Sequence, residues 1–125
     1  MIVGIVNEYY EAIIRLVVSG PNKQKTEIDA VIDTGFNGSM SLPTSLIAKL
    51  KLPFRSRGRA ELADGSESIF NSYEATIIWD GQPHRIAIDE ANTDPLIGMS
   101  LLRSYELNIQ VVNGGNVLIK ILSGS

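Results

Sequence analysis

The sequence predicts an all-β fold, a small closed barrel or closed sandwich carrying one or two short helices. Three observations predict it. Apolar and polar residues alternate with a period of two over most of the 125 residues, as in strands buried on one face. Turn sequences built on glycine punctuate these runs. Only two short stretches take on a helical spacing instead.

In chain order, the apolar start Met1–Val6 has no basic flank and ends at Asn7-Glu8. It is too short for a signal-peptide core or a membrane span, so a cytoplasmic protein without a membrane partner is expected. Tyr10, Ala12, Ile14, Leu16 and Val18 form the apolar face of an early strand. Thr26, Ile28, Ala30 and Ile32 alternate with Glu27, Asp29 and Val31 in the next. A helix is expected from Pro43 to Lys51, with proline at an early helical position and Leu46, Ile47 and Leu50 facing inward. Tyr73, Ala75, Ile77 and Trp79 line one face of a later strand. A second short helix is expected near Ser100, with Ser100 as its cap and Leu101 and Leu102 buried. Tyr105, Leu107, Ile109 and Val111 mark one closing strand, and Val117, Ile119 and Ile121 the last. Between them lie the turns Ser19-Gly20-Pro21-Asn22, Asp64-Gly65, Asp80-Gly81 and Asn113-Gly114-Gly115. Asp64-Gly65 is the sharpest of these and is read as a type I′ hairpin turn, since both residues accept positive φ. No linker or tandem repeat interrupts the chain, so residues 1–125 are read as one domain.

Composition narrows the function. The chain is 44% hydrophobic and 20% charged, as for an ordinary globular protein. A net charge of −3 gives no electrostatic case for nucleic acid. The chain has no cysteine, which excludes disulfides, thiolate metal sites and a cysteine nucleophile. His84 is the one histidine; it follows Gly81-Gln82-Pro83 in a turn, and no acid–histidine–serine set can be built around it. Asp89, Glu90 and Asp94 are read as a solvated acidic loop, because no calcium-loop spacing fits them. Arg55, Arg57 and Arg59 are read as the solvated face of a strand. No metal and no cofactor are expected.

The chemically informative segment is Ala30-Val31-Ile32-Asp33-Thr34-Gly35. An apolar strand runs directly into an acid, a hydroxyl and a glycine. An aspartate at the end of a buried strand loses hydration unless hydrogen bonds or a proton compensate. Thr34 can brace a loop, and Gly35, lacking Cβ, lets another backbone come close. Downstream come Ser39-Met40-Ser41-Leu42-Pro43, then Ala60–Ser68 around the Asp64-Gly65 turn, then Pro95-Leu96-Ile97-Gly98-Met99-Ser100-Leu101-Leu102.

In their order and spacing these segments resemble the retropepsin-like aspartic peptidases of the single-lobe, homodimeric type, over residues 9 to 122. The resemblance implies an aspartic endopeptidase: two Asp33 carboxylates, one per subunit, would activate a water against a peptide bond. It implies catalytic roles for Asp33, Thr34 and Gly35. Thr34 would interlock the two loops, and Gly35 would bring its backbone near the substrate. It implies substrate contacts from Phe36 and Asn37 and from a flap hairpin tipped by Ala63, Asp64, Gly65 and Ser66, with Leu96, Ile97 and Gly98 packed beneath the loop. A homodimer follows, because the chain holds one Asp-Thr-Gly and the family's chemistry needs two. The strands Ile2–Val6 and Val117–Leu122 are candidates for a sheet between subunits. The expected partners are therefore a second copy and a peptide or protein substrate.

Three departures from the family pattern stand out. Phe36 follows Asp-Thr-Gly where a small residue is usual, so its ring either narrows the cleft or lies beneath the loop. Ser100 stands where an acid or amide is common, and the flap lacks a glycine-rich tip. The alternative is a catalytically silent dimeric peptide-binding module of the same fold, with Phe36 filling the cleft. A further alternative is a working monomer regulated by dimerisation.

Overall fold

The computed structural model describes residues 1–123. Within them the chain forms ten strands and two short helices. The strands are β1 (Ile2–Val6), β2 (Ala12–Ser19), β3 (Lys25–Ile32), β4 (Met40–Leu42), β5 (Phe54–Glu61), β6 (Glu67–Trp79), β7 (Gln82–Glu90), β8 (Leu96–Ile97), β9 (Tyr105–Ile109) and β10 (Asn116–Ile121). The helices are α1 (Thr44–Lys49) and α2 (Met99–Leu102).

All ten strands join one sheet, in the order β5-β6-β7-β4-β8-β3-β2-β1-β10-β9. An additional pairing of β6 with β2, through Val18–Ile77 and Ser19–Thr76, closes β2, β3, β8, β4, β7 and β6 into a barrel. Most pairs are antiparallel, but β3–β8 and β4–β7 are parallel. The alternation read from the sequence points into this barrel: Ala12, Ile14, Leu16 and Val18 of β2, Ile28 and Ala30 of β3, and Ala75, Ile77 and Trp79 of β6 are all buried. Each fully buried aliphatic side chain contributes about 1.5–3 kcal/mol relative to exposure, so these faces fix the strand register.

Several expectations need correction at element ends. Tyr10 is 67% exposed and sits in the β1–β2 turn at φ 60°, one pleat short of the strand whose face it was assigned to. Val111 is 63% exposed, because β9 stops at Ile109, where the chain turns toward Gly114. Ile121 lies in β10 but is exposed. Pro43 caps α1 from an extended conformation rather than lying inside the helix, and Lys51 at φ 50° turns the chain away after Leu50. Gln82, Pro83 and His84 are exposed residues of β7, not of a turn.

The turn chemistry also differs from expectation. At the β6–β7 turn both Asp80 (φ 52°) and Gly81 (φ 79°) adopt positive φ, as a type I′ hairpin requires. At the β5–β6 turn only Gly65 does, at φ 84°. The Gly65 N–H donates to the Leu62 carbonyl and the Leu62 N–H to the Ser66 carbonyl, giving a longer loop that needs one left-handed residue.

β1 and β10 each have a strand on both sides, β2 and β10 for β1, β1 and β9 for β10. The free edge at that end of the sheet is β9. Val3 (64% exposed) and Ile5 (54%) leave an apolar outer surface on β1. No helix among the described residues is long and apolar enough to cross a membrane.

Candidate active site

Asp33 is the first residue after β3, and the loop it opens is held by backbone bonds from the distant β8–α2 segment. β8 lies beside β3 in parallel, pairing Val31 with Leu96 and Ile32 with Ile97. The Val31 N–H donates to the Pro95 carbonyl (2.8 Å), and the Asp33 N–H to the Ile97 carbonyl (2.9 Å). From the other side the Gly98 N–H reaches Ser39 O (3.0 Å), the Met99 N–H Phe36 O (2.8 Å) and the Ser100 N–H Gly38 O (3.2 Å). The loop thus behaves as an extension of the barrel, because its amides and carbonyls are satisfied by a segment some sixty residues away.

Gly98 makes this approach possible. Its backbone is extended (φ −108°, ψ 178°), so the demand for glycine is steric rather than conformational. A Cβ there would lie 2.1 Å from the Gly38 carbonyl oxygen and 2.6 Å from the Phe36 ring. Phe36 folds back toward this glycine: its ring also covers Gly38, where an added Cβ would meet it at 2.5 Å. The ring thus lies against Gly38 of the loop and Gly98 of the facing segment, and Phe36 also lines the cleft that holds Asp33.

The Asp33 carboxylate is oriented locally. The Gly35 N–H donates to Asp33 Oδ1 at 2.9 Å, which fixes the side chain over its own loop. Asp33 is half-buried, while Thr34, Gly35 and Asn37 are exposed. Ser100 does not cap α2; its hydroxyl donates to the Asn37 carbonyl and ties the helix start to the loop.

Asp33, Gly35 and Phe36 share a cleft of about 350 Å³ with Ser41, Asp89, Glu90, Ala91, Thr93 and Leu96, roofed by Ala60, Ser68 and Phe70 of the β5–β6 hairpin. Phe70 is steadied by its cross-strand partner Gly58, whose missing side chain leaves room for the ring. The hairpin expected to act as a flap shares this cleft with Asp33 through its stems. Ala63, Asp64, Gly65 and Ser66 are exposed at its tip and do not line this cleft. Leu96 lines the cleft, Ile97 is fully buried beneath it, and Gly98 touches the loop.

Asp89 and Glu90 are not a solvated loop. They end β7 and face the cleft, half-buried; only Asp94 of the trio is loop and exposed. Burial pushes the Asp89 carboxyl above its ordinary value, against the opposing charge of Arg55. Alternation could have hinted at this, since Met40-Ser41-Leu42 and Ile88-Asp89 each set a polar residue opposite a core one. That β4 and β7 are neighbours was not readable from the chain. Arg55, Arg57 and Arg59 are exposed on β5, as expected of a solvated face. Among the described residues no three His, Cys, Asp or Glu side chains converge on a possible metal position.

Solved structures with this architecture decide the fold. A retropepsin-like aspartic protease from Rickettsia conorii superposes with a TM-score of 0.60 over 98% of this chain and 91% of that one, at 16% identity. The protease of EIAV, complexed with the inhibitor HBY-793, does so with a TM-score of 0.56 over 78% of this chain and 89% of that one, at 18% identity. The fold is retropepsin-like. No protein-family model and no curated protein matches the chain. Both of these solved structures are named as proteases.

Proposed function

We propose that the chain is an aspartic endopeptidase that works as a homodimer, with the two Asp33 side chains meeting at a two-fold axis. One observation carries the reading. Asp33 is a half-buried carboxylate, aimed by the Gly35 N–H, on a loop locked into the barrel and roofed by a hairpin. A closed symmetric pair is the usual way for one loop to be presented twice, and the apolar outer surface at Val3 and Ile5 offers area for such a contact.

Two carboxylates about 3 Å apart share one proton, as aspartic-protease dyads do. The ionised member accepts a proton from a bound water as the water attacks the peptide carbonyl. The protonated member donates to the carbonyl oxygen, and a proton then passes to the leaving nitrogen. Thr34, exposed beside Asp33, would brace the partner loop. The hairpin would close over an extended peptide and exclude water. The packing of Phe36 against Gly38 and Gly98 supports this reading over the silent peptide-binding module, since it gives the ring a structural role besides lining the cleft.

Incubation of the wild type and Asp33→Asn with a mixed peptide pool, followed by mass spectrometry, tests it. The variant should lose cleavage by at least about a thousandfold while keeping the mass of the dimer. Undiminished cleavage by Asp33→Asn, or a wild type that stays monomeric when saturated with ligand, would end the proposal.

A further inference from the structure

The cleft floor has a chemistry of its own beside Asp33. Register places Val31, Leu96, Ser41, Asp89 and Ser72 side by side across β3, β8, β4, β7 and β6. Leu96, Ser41 and Asp89 of this row line the cleft. Ser41 is 3% exposed, and its hydroxyl oxygen has no hydrogen-bond partner among the described residues. Asp89 lies directly across the β4–β7 pairing from it. An added Cβ on Gly38 would come within 3.0 Å of Asp89 Oδ2, so glycine at 38 leaves this carboxylate room against the loop that bears Asp33.

Its neighbour Glu90 is committed elsewhere. Glu90 accepts hydrogen bonds from the Thr44 hydroxyl (2.9 Å) and the Asn71 amide (3.3 Å). Asp89 accepts none from the described residues, and the charge that acts on it is that of Arg55 on the flap strand β5. A half-buried carboxylate without donors becomes costlier still once a peptide strips the remaining water. The ligand group that resolves this carries several donors and a positive charge. An aliphatic group would leave the carboxylate unpaired, and an acidic one would meet Asp33, Asp89 and Glu90 together.

We infer that Ser41 and Asp89 form a subsite beside Asp33 that takes a lysine or arginine side chain of the peptide substrate. The inference rests on the peptidase reading for its substrate, and its test separates the two. Otherwise identical peptides carrying Lys, Arg, norleucine or Glu at each position around a cleavage point are compared by kcat/KM. At one position Lys or Arg should exceed norleucine by about tenfold or more. Asp89→Asn should bring that ratio to about one, Asp89→Lys should turn the preference toward Glu, and Ser41→Ala should narrow it. The same peptides are titrated against Asp33→Asn by calorimetry, where no turnover is needed. Cleavage without any basic preference, or a preference that survives Asp89→Asn, overturns the subsite and leaves the peptidase reading standing. Preferential binding of the basic peptides with no cleavage by the wild type supports the subsite and overturns the peptidase. Neither binding nor cleavage overturns both.

Discussion

The loop after β3 and the tip of the β5–β6 hairpin use the same local device. In each, an aspartate Oδ1 accepts the N–H two residues on, Gly35 to Asp33 and Ser66 to Asp64, both at 2.9 Å. Around that bond the two diverge. Residues 33–39 are strapped to β8 and α2 by backbone bonds from Asp33, Gly98, Met99 and Ser100. The hairpin tip is closed by bonds among its own residues, Leu62, Asp64, Gly65 and Ser66, and every one of them is exposed. A local motif can aim a carboxylate, but long-range backbone contacts decide whether the aim is held. Segments with few buried contacts open at lower free energy, so the rigid loop suits a catalytic acid and the tip suits a lid.

The largest expected effect breaks the rigid side. Gly98→Ala puts a methyl group 2.1 Å from the Gly38 carbonyl, a backbone atom that cannot swing aside. We expect a loss of about 3 kcal/mol in urea unfolding and a fall in melting temperature of about 10 °C. Unchanged stability would mean that the strap is looser than drawn. Phe36→Ala removes the half-buried ring over Gly38 and Gly98 and should cost about 2 kcal/mol, with cleavage weakened as the loop loosens. A gain in peptide binding or cleavage from Phe36→Ala would instead show the ring as a plug and favour the silent module.

The contrast also marks what the sequence could convey. The barrel was legible because Ile14, Leu16, Ala30, Ile77 and their like repeat with a period of two, and burial enforces that period. The loop was legible because Asp33-Thr34-Gly35 ends an apolar strand and Leu96-Ile97-Gly98 follows later with a glycine that close backbone approach demands. Asp89 and Ser41 were not, because a parallel pairing of β4 with β7 joins residues 48 positions apart, and nothing local announces it. The hairpin tip was misread for the opposite reason. Asp64-Gly65 and Asp80-Gly81 look alike as dipeptides, and the length of the loop, set by the Glu61–Glu67 pairing, determines which conformation each takes.

The flexible side should respond more mildly. Gly65→Ala meets no atom within 4 Å, so its penalty is conformational alone: φ +84° is unfavourable for a residue with a Cβ. About 1 kcal/mol should be lost, and Gly65→Asn should recover part of it, because asparagine tolerates left-handed backbone. An equal loss in both variants would point to a role for the open space rather than for φ.

The smallest effect probes the aspartate of the tip. Hydrogen bonds from the Ser66 hydroxyl and N–H hold the Asp64 carboxyl below its ordinary 3.8. A carboxyl whose pKa is lowered by folding adds stability above its unfolded value and loses it as pH falls through the folded value. The stability difference between wild type and Asp64→Asn should therefore be constant above about pH 5, shrink below about pH 4 and level off in stronger acid, where its pH-dependent part is lost. Asp29, lowered through Arg15, titrates in the same range but is common to both proteins and cancels in the difference. Salt separates the two further: it screens the exposed Asp29–Arg15 ion pair and leaves a bond from a neutral serine nearly untouched. A difference that grows on acidification would reverse the assigned sign, and the tip would then be held by something other than the ionised Asp64.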